Sequence, residues 1–193
     1  MSKKKMSLLT AVRRSENTPV DYRFIHSVSS PLCPSQRMVQ HEDLPDKPSL
    51  ESVFKGKDAV CILFRVLHHS VPTPIAHWCC LFRGKKKRVT FFDSLALNLK
   101  GIYRLTHESP KLLFALRNTK YDRSHRPLQK LMSRQKYCGA AVAVRLRYYK
   151  TKTNREFESF ILNHDRGNPG HTLCTLCFFH YEDQHEYDIS DSK

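Results

Sequence analysis

The sequence predicts an α+β fold in which a central mixed or antiparallel sheet is packed by helices. Three apolar runs of strand length are followed by two runs with helical composition or spacing. These segments are 59–67, 75–82, 88–92, 139–149 and 155–162. With 193 residues, 40% of them hydrophobic, the chain suits one domain with one core. We therefore expect a single domain over 1–193, with its core at about 58–165.

The first three runs predict consecutive antiparallel strands. A stretch with two prolines, 68–74, is expected to break the chain after the first strand, and the basic stretch 83–87 is expected to turn the second strand into the third. His77 lies near the start of the second predicted strand, and Asp93 directly follows the third. Because the start of one antiparallel strand lies beside the end of the next, we expect these two side chains to be neighbours.

The fourth run predicts a helix that begins at Cys138. The positive end of the helix dipole and its exposed backbone N–H groups favour a thiolate and an oxyanion at that position. The first residues of the helix, Gly139, Ala140 and Ala141, are small. We expect them to let the helix pack closely on the sheet that carries His77.

Cys138, His77 and Asp93 are the residue types of a thiol protease. A thiol attacks as thiolate, which needs a nearby imidazole, and the imidazole needs a third group to fix its tautomer. Gln129 offers a side-chain N–H to the developing oxyanion, complementing the backbone N–H of Cys138. Gln135, three residues before the cysteine, is the alternative. Singly, these residues are more typical of a buried thiol, a core histidine, a turn and a loop amide; their order along the chain carries the interpretation.

The pairs His77-Trp78 and Cys138-Gly139, with Asp93 and Gln129 between them, stand in the order of the adenovirus-type cysteine endopeptidases, or adenains. The chain resembles that family over about 58–165 and is more distantly similar to the SUMO- and ubiquitin-like-specific proteases. The resemblance implies a papain-like, adenain-type fold with the nucleophile at a helix N-terminus. It also implies a catalytic Cys-His-Asp triad with a Gln-assisted oxyanion hole.

The resemblance also implies partners and a place of action. Adenovirus-type enzymes process capsid and core precursor proteins, use viral DNA as a cofactor and bind a short viral peptide through a disulfide. We therefore expect a viral endopeptidase of the host nucleus and virion, monomeric, needing no cofactor for its chemistry and stimulated by DNA. Between Cys80 and Cys138, where the family's peptide-linking thiol would lie, there is no cysteine. A peptide activator would then bind without a disulfide, as an added strand.

The charge of the chain predicts a polyanionic partner. Lys and Arg number 33 against 18 Asp and Glu, which gives a formal net charge of +15. Neutralising phosphates releases counterions, and no base-reading module accompanies the charge, so we expect sequence-independent nucleic-acid binding that salt weakens. The candidate contacts are Lys85, Lys86, Lys87, Arg88, Arg134, Lys136, Arg145 and Arg147.

The cysteines and the chain ends predict an intracellular protein without a metal. Seven cysteines form no regular framework, and no run of 18 apolar residues occurs, so we expect neither disulfides, nor secretion, nor a membrane span. Cys174 and Cys177 are interpreted as buried thiols of a terminal strand rather than as half of a zinc site with His171 or His180. Outside the core we expect a basic segment 1–16, an irregular segment 31–52 and a frayed acidic tail 182–193.

Three functions follow from these features. The leading hypothesis is a viral cysteine endopeptidase that cleaves virion precursors. The first alternative is a ubiquitin-like or SUMO-modifier-specific protease, which should cleave after a Gly-Gly tail and gain nothing from DNA. The second is a noncatalytic nucleic-acid-binding module, which should keep every function after Cys138→Ala.

Overall fold

A computed structural model of the protein describes residues 20–84, 87–130, 137–164 and 168–190. It is an α+β structure in which one five-stranded mixed sheet is packed by helices. In chain order the elements are α1 (Tyr22–Ser29), β1 (Gln36–Gln40), a 3₁₀ turn (His41–Asp43), α2 (Leu50–Phe54), β2 (Ala59–His68), β3 (Val71–Arg83), β4 (Val89–Phe92), α3 (Leu99–Thr106), α4 (Lys111–Leu116), β5 (Asp122–Arg123), α5 (Cys138–Arg147), α6 (Asn154–His164) and α7 (Pro169–Ser190).

The strands lie side by side in chain order, β1-β2-β3-β4-β5. The central pairs β2·β3 and β3·β4 are antiparallel, as the sequence predicts, and the outer pairs β1·β2 and β4·β5 are parallel. Alternate side chains of the strands point to opposite faces of the sheet. One face packs on α1, α5, α6 and α7, and the other packs on α2, α3 and α4.

The predicted break within 68–74 is confirmed, but the two prolines do not form it, because β3 runs through both of them. The chain reverses instead at His69 and Ser70, both at positive φ. On its other side β3 pairs with β4 only over 80–83, so its proline-containing part forms an edge there. Proline lacks an N–H and is tolerated on such an unpaired edge.

The segment 31–52, expected to be irregular, contains β1, the 3₁₀ turn and the start of α2. Its prolines fall outside the strand, so Gln36–Gln40 pairs in parallel with β2. The basic segment 1–16 lies outside the described residues.

The terminal strand predicted around Cys174 and Cys177 is wrong as well, because both residues lie in the helix α7. Their thiols are buried, as expected. No glycine or proline occurs between 171 and 190, and the helix continues to Ser190 where a frayed tail was predicted. Within the described residues, no helix is both long and apolar enough to cross a membrane.

Side chains cap several helix starts in this fold, but not the start of the helix that carries the candidate nucleophile. Asp21, Ser49 and Asn98 accept hydrogen bonds from the first turns of α1, α2 and α3. Tyr137, before α5, provides no such cap. The N–H groups in the first turn of α5 therefore receive no acceptor from the Tyr137 side chain and can donate to groups around Cys138.

Candidate active site

The structure brings His77 and Asp93 together across the β3·β4 pair. Cys80 lies opposite Phe92 in the register, so Asp93, which directly follows β4, comes beside the part of β3 that carries His77. Nε2 of His77 lies 2.6 Å from Oδ1 of Asp93. Both side chains are buried, and a carboxylate accepts the N–H of the ring in such a pair.

The carboxylate of Asp93 is fixed by the loop that follows it. The backbone N–H of Leu95 donates to Oδ1 at 3.1 Å, and that of Leu97 donates to Oδ2 at 2.8 Å. The N–H of Asp93 itself donates to the hydroxyl of Ser124 at 2.9 Å. The acceptor for the imidazole is therefore oriented before any substrate binds.

Cys138 is the first residue of α5, and its sulfur is hydrogen bonded to His77. Because Nε2 of the ring faces Asp93, Nδ1 is the nitrogen that remains for the sulfur. Burial alone would raise the pKa of the thiol. The hydrogen bond and charge of His77, with hydrogen bonds from the backbone of Trp78 and Gly139, bring that pKa below its ordinary value of 9.0.

The imidazole is shifted in the opposite direction. Burial alone would lower the pKa of His77, yet the side chains of Cys79 and Asp93 and hydrogen bonds with Asp93 and Cys138 raise that pKa well above its ordinary value. A lowered thiol pKa beside a raised imidazole pKa favours transfer of the proton from sulfur to nitrogen. The arrangement therefore favours a thiolate–imidazolium pair.

Close packing joins the residues that follow the histidine and the cysteine. The indole N–H of Trp78 donates to the carbonyl of Val20 at 2.9 Å. A Cβ added at Gly139 would lie 2.5 Å from Cγ1 of Val20 and 3.3 Å from Cδ1 of Trp78. A Cβ at this point would force Val20 or the helix to shift, because real Cβ contacts essentially never come so close. This contact explains why Trp and Gly accompany His77 and Cys138.

Gln129 is held beside Asp93 through the neighbouring Ser94. The N–H of Gln129 donates to the carbonyl of Ser94 at 3.1 Å, and the hydroxyl of Ser94 donates to Oε1 of Gln129 at 3.2 Å. Gln135, the alternative, lies outside the described residues.

Three residues of the site were missed by the sequence reasoning. Ser124 and Ser94 orient Asp93 and Gln129 as described above, and nothing in their local sequence marks them. Cys79 follows His77 by two residues, so strand alternation places it on the same face of β3, and this periodicity could have found it. Its sulfur lies 4.0 Å from Oδ1 of Asp93, and burial raises the pKa of this thiol to about 12.

A second buried histidine provides a contrast. His41 contacts the carboxylate of Glu108 through Nδ1, and its Nε2 lies 3.1 Å from the hydroxyl of Tyr103. The ring stacks on Phe64 with centroids 4.6 Å apart. This histidine contacts a carboxylate and a phenol but no thiol. The arrangement is typical of a structural hydrogen-bond network.

Apart from Arg145, the predicted nucleic-acid contacts separate into three groups. Lys87 and Arg88 are exposed beside β4. Arg147 is half-buried and donates to the carbonyl of Val28 at 2.7 Å. The other members of the candidate set, apart from Arg145, lie outside the described residues: Lys85, Lys86, Arg134 and Lys136.

Arg145 is a correction, because its side chain is fully buried and cannot contact nucleic acid. Nε donates to Asn154 and Nη2 to the carbonyl of Lys152, and the guanidinium packs over the rings of Phe82 and Phe157. Burial lowers its pKa to about 10. Helix α5 packs against the sheet, α1 and α7, and the side chain of Arg145 points into this packed side.

One group of possible metal ligands occurs in the described part of the chain. Donor atoms of His77, Cys79 and Asp93 all lie within 4.8 Å of one another. The group includes two members of the candidate triad.

Comparisons with known proteins leave this geometry as the basis for assigning a function. No protein-family model matches the chain. A search of the curated proteins gives no significant match.

Proposed function

We propose that the protein is a cysteine endopeptidase with Cys138, His77 and Asp93 as its triad. The observation that carries the proposal is the position of His77, which is hydrogen bonded to a buried carboxylate and to a thiol whose pKa is lowered. A histidine placed between an acid and a nucleophile is typical of enzymes that catalyse acyl transfer, whatever the order of the three residues in the chain. We assign the α+β arrangement, in which Cys138 begins a helix, to the papain-like, adenain-type class.

The proposed reaction proceeds in two steps. The Cys138 thiolate attacks the carbonyl carbon of the scissile peptide, and the backbone N–H of Cys138 and the amide N–H of Gln129 stabilise the oxyanion. The imidazolium of His77 then gives its proton to the leaving amine, and a thioester forms. His77 takes a proton from water, whose oxygen attacks the thioester, and the thiolate is regained. Asp93 holds the ring and stabilises its charged form throughout.

We propose protein substrates, among them virion precursors, and stimulation by DNA. The +15 charge and the exposed Lys87 and Arg88 support a polyanionic partner. More exposed cations follow β4 and α4 in the described residues: Arg117, Lys120, Arg123, Arg126 and Lys130. A DNA-bound enzyme would meet substrates that are themselves bound to the same DNA.

The test is cleavage of a defined peptide library, derived from a proteome digest, with products identified by mass spectrometry. The full chain should cut internal peptide bonds, and Cys138→Ala should cut none while keeping the fold. Added DNA should increase cleavage of DNA-binding protein substrates. Cleavage confined to bonds after Gly-Gly and indifferent to DNA would favour the modifier-specific alternative. Absence of any cleavage by the wild type would overturn the proposal.

A further inference from the structure

A second thiol lies beside the His77–Asp93 pair. Cys79 is on the same face of β3 as His77, and its sulfur is 4.0 Å from Oδ1 of Asp93. The ring nitrogen, the sulfur and the carboxylate oxygen lie within 4.8 Å of one another, and all three side chains are buried. The catalytic roles proposed above use His77 and Asp93 and leave Cys79 without a part.

We propose that His77, Cys79 and Asp93 form a zinc-binding site, and that a bound Zn²⁺ switches the catalytic site off. The binding depends only on the geometry of the three side chains. The inhibition rests on the proposed peptidase function.

The three donors are the types that zinc takes. Zn²⁺ is bound by thiolate sulfur at about 2.3 Å and by imidazole nitrogen or carboxylate oxygen at about 2.0–2.2 Å, so tetrahedral ligand atoms lie about 3.3–3.6 Å apart. The His77–Asp93 separation of 2.6 Å would lengthen and the Cys79–Asp93 separation of 4.0 Å would shorten, each by an ångström or less. Thiolate and imidazole ligands favour zinc over Ca²⁺ or Mg²⁺, which require oxygen.

The surroundings of the site favour a fixed ligand set. The N–H groups of Leu95 and Leu97 hold the carboxylate of Asp93, and such outer contacts orient metal ligands. Three protein ligands leave the fourth position of a tetrahedral zinc for a water molecule.

Metal binding would change which atoms of the site can carry a proton. Nε2 faces the carboxylate and is the nitrogen that would coordinate, and Cys79 would coordinate as thiolate. The ring keeps a proton on Nδ1 and can lose it only as an imidazolate. A metal-bound ring therefore cannot take and return a proton near neutral pH, as the proposed mechanism requires.

The test is a Co²⁺ titration of the metal-free, reduced full chain, followed by optical spectroscopy. Co²⁺ substitutes for zinc and reports a thiolate ligand by a ligand-to-metal charge-transfer band, and tetrahedral geometry by intense visible bands. Equilibrium dialysis with Zn²⁺ gives the stoichiometry and affinity. The variants are Cys79→Ser, which keeps the size and polarity of the side chain, with Cys79→Ala as a second form, and Cys138→Ala as the matched control.

We expect one ion per chain and a charge-transfer band in the wild type and in Cys138→Ala. Cys79→Ser should lose the band and weaken zinc binding by more than the 10–100-fold that removal of an outer contact costs. A band that survives in both folded Cys79 variants, or that disappears in Cys138→Ala alone, would overturn the site. No binding by the wild type would do the same.

Peptidase assays separate this inference from the proposed function. Zinc at a fixed concentration should inhibit the wild type and have a much smaller effect on Cys79→Ser, each measured against its own zinc-free rate. Equal inhibition of both would refute the switch while leaving the peptidase intact. A Cys79-dependent cobalt spectrum in a chain that cleaves nothing would instead retain the metal site and reject the peptidase.

Discussion

Gly139→Ala tests the close packing between the start of α5 and the segment before α1. The added Cβ would lie 2.5 Å from Cγ1 and 2.6 Å from Cβ of Val20. Ordinary contacts are at 3.4–4 Å, so either Val20 or the helix must move by about an ångström. Overpacking of this kind costs about 1–3 kcal/mol, and α5 begins at the nucleophile, so the movement would also displace Cys138.

Gly101→Ala is the matched control, because Gly101 also lies in a helix. Its added Cβ would meet Leu97 and Asn98 at 3.4–3.5 Å, which is ordinary contact. Alanine is favoured over glycine in a helix by about 1 kcal/mol, so this variant should be equally or more stable than wild type. The difference between the two variants isolates the clash from helix propensity.

Urea unfolding followed by circular dichroism measures both effects. Gly139→Ala should lower the unfolding free energy relative to Gly101→Ala by about 1–3 kcal/mol. The double variant Val20→Gly with Gly139→Ala removes the atoms that clash, so the double-mutant cycle should show a favourable coupling of at least about 1 kcal/mol. A Gly139→Ala protein as stable as Gly101→Ala, with no coupling to Val20, would refute the packing argument.

Three further predictions concern the support of the acid, the oxyanion and the charged surface. Ser124→Ala leaves the buried N–H of Asp93 without its acceptor and should lower the unfolding free energy by about 1–3 kcal/mol, measured by urea titration; an unchanged midpoint would contradict this. Gln129→Ala should lower kcat about 10²–10³-fold in the peptide assay, and an unchanged kcat would remove this residue from the oxyanion hole. Lys87→Ala with Arg88→Ala should weaken DNA binding and reduce the slope of log affinity against log salt by about 2, whereas an unchanged slope would place the DNA elsewhere.

The centre of the sheet could be predicted from the sequence because its signals are local. The strand-length runs around His77 and before Asp93 fix two antiparallel neighbours, and antiparallel geometry then brings the histidine and the carboxylate together. The helix at Cys138 follows from small residues and the absence of proline. These predictions needed no knowledge of distant parts of the chain.

The predictions that failed depended on what surrounds an element. Arg145 belongs to a charge run that is typical of an exposed surface, yet α5 packs against the sheet, α1 and α7, and the arginine is buried against aromatic rings. The apolar run around Cys174 is short enough for a strand, and only the packing of α7 on α5 and α6 shows that it is a helix. The local sequence predicts a break at Pro72 and Pro74, because the unpaired edge of β3 that tolerates them is a property of the whole sheet.

The pH dependence of Cys138 alkylation shows whether His77 activates the Cys138 thiol. Iodoacetamide modification of each cysteine is followed by mass spectrometry across pH in the wild type and in His77→Ala. We expect Cys138 to react as a thiolate at pH values below 9.0, while Cys33 and Cys79, whose pKa values burial raises to about 12, stay unreactive. His77→Ala should abolish the low-pH reactivity. A Cys138 that titrates at or above 9.0, or whose reactivity is the same without the imidazole, would contradict activation of this thiol by His77.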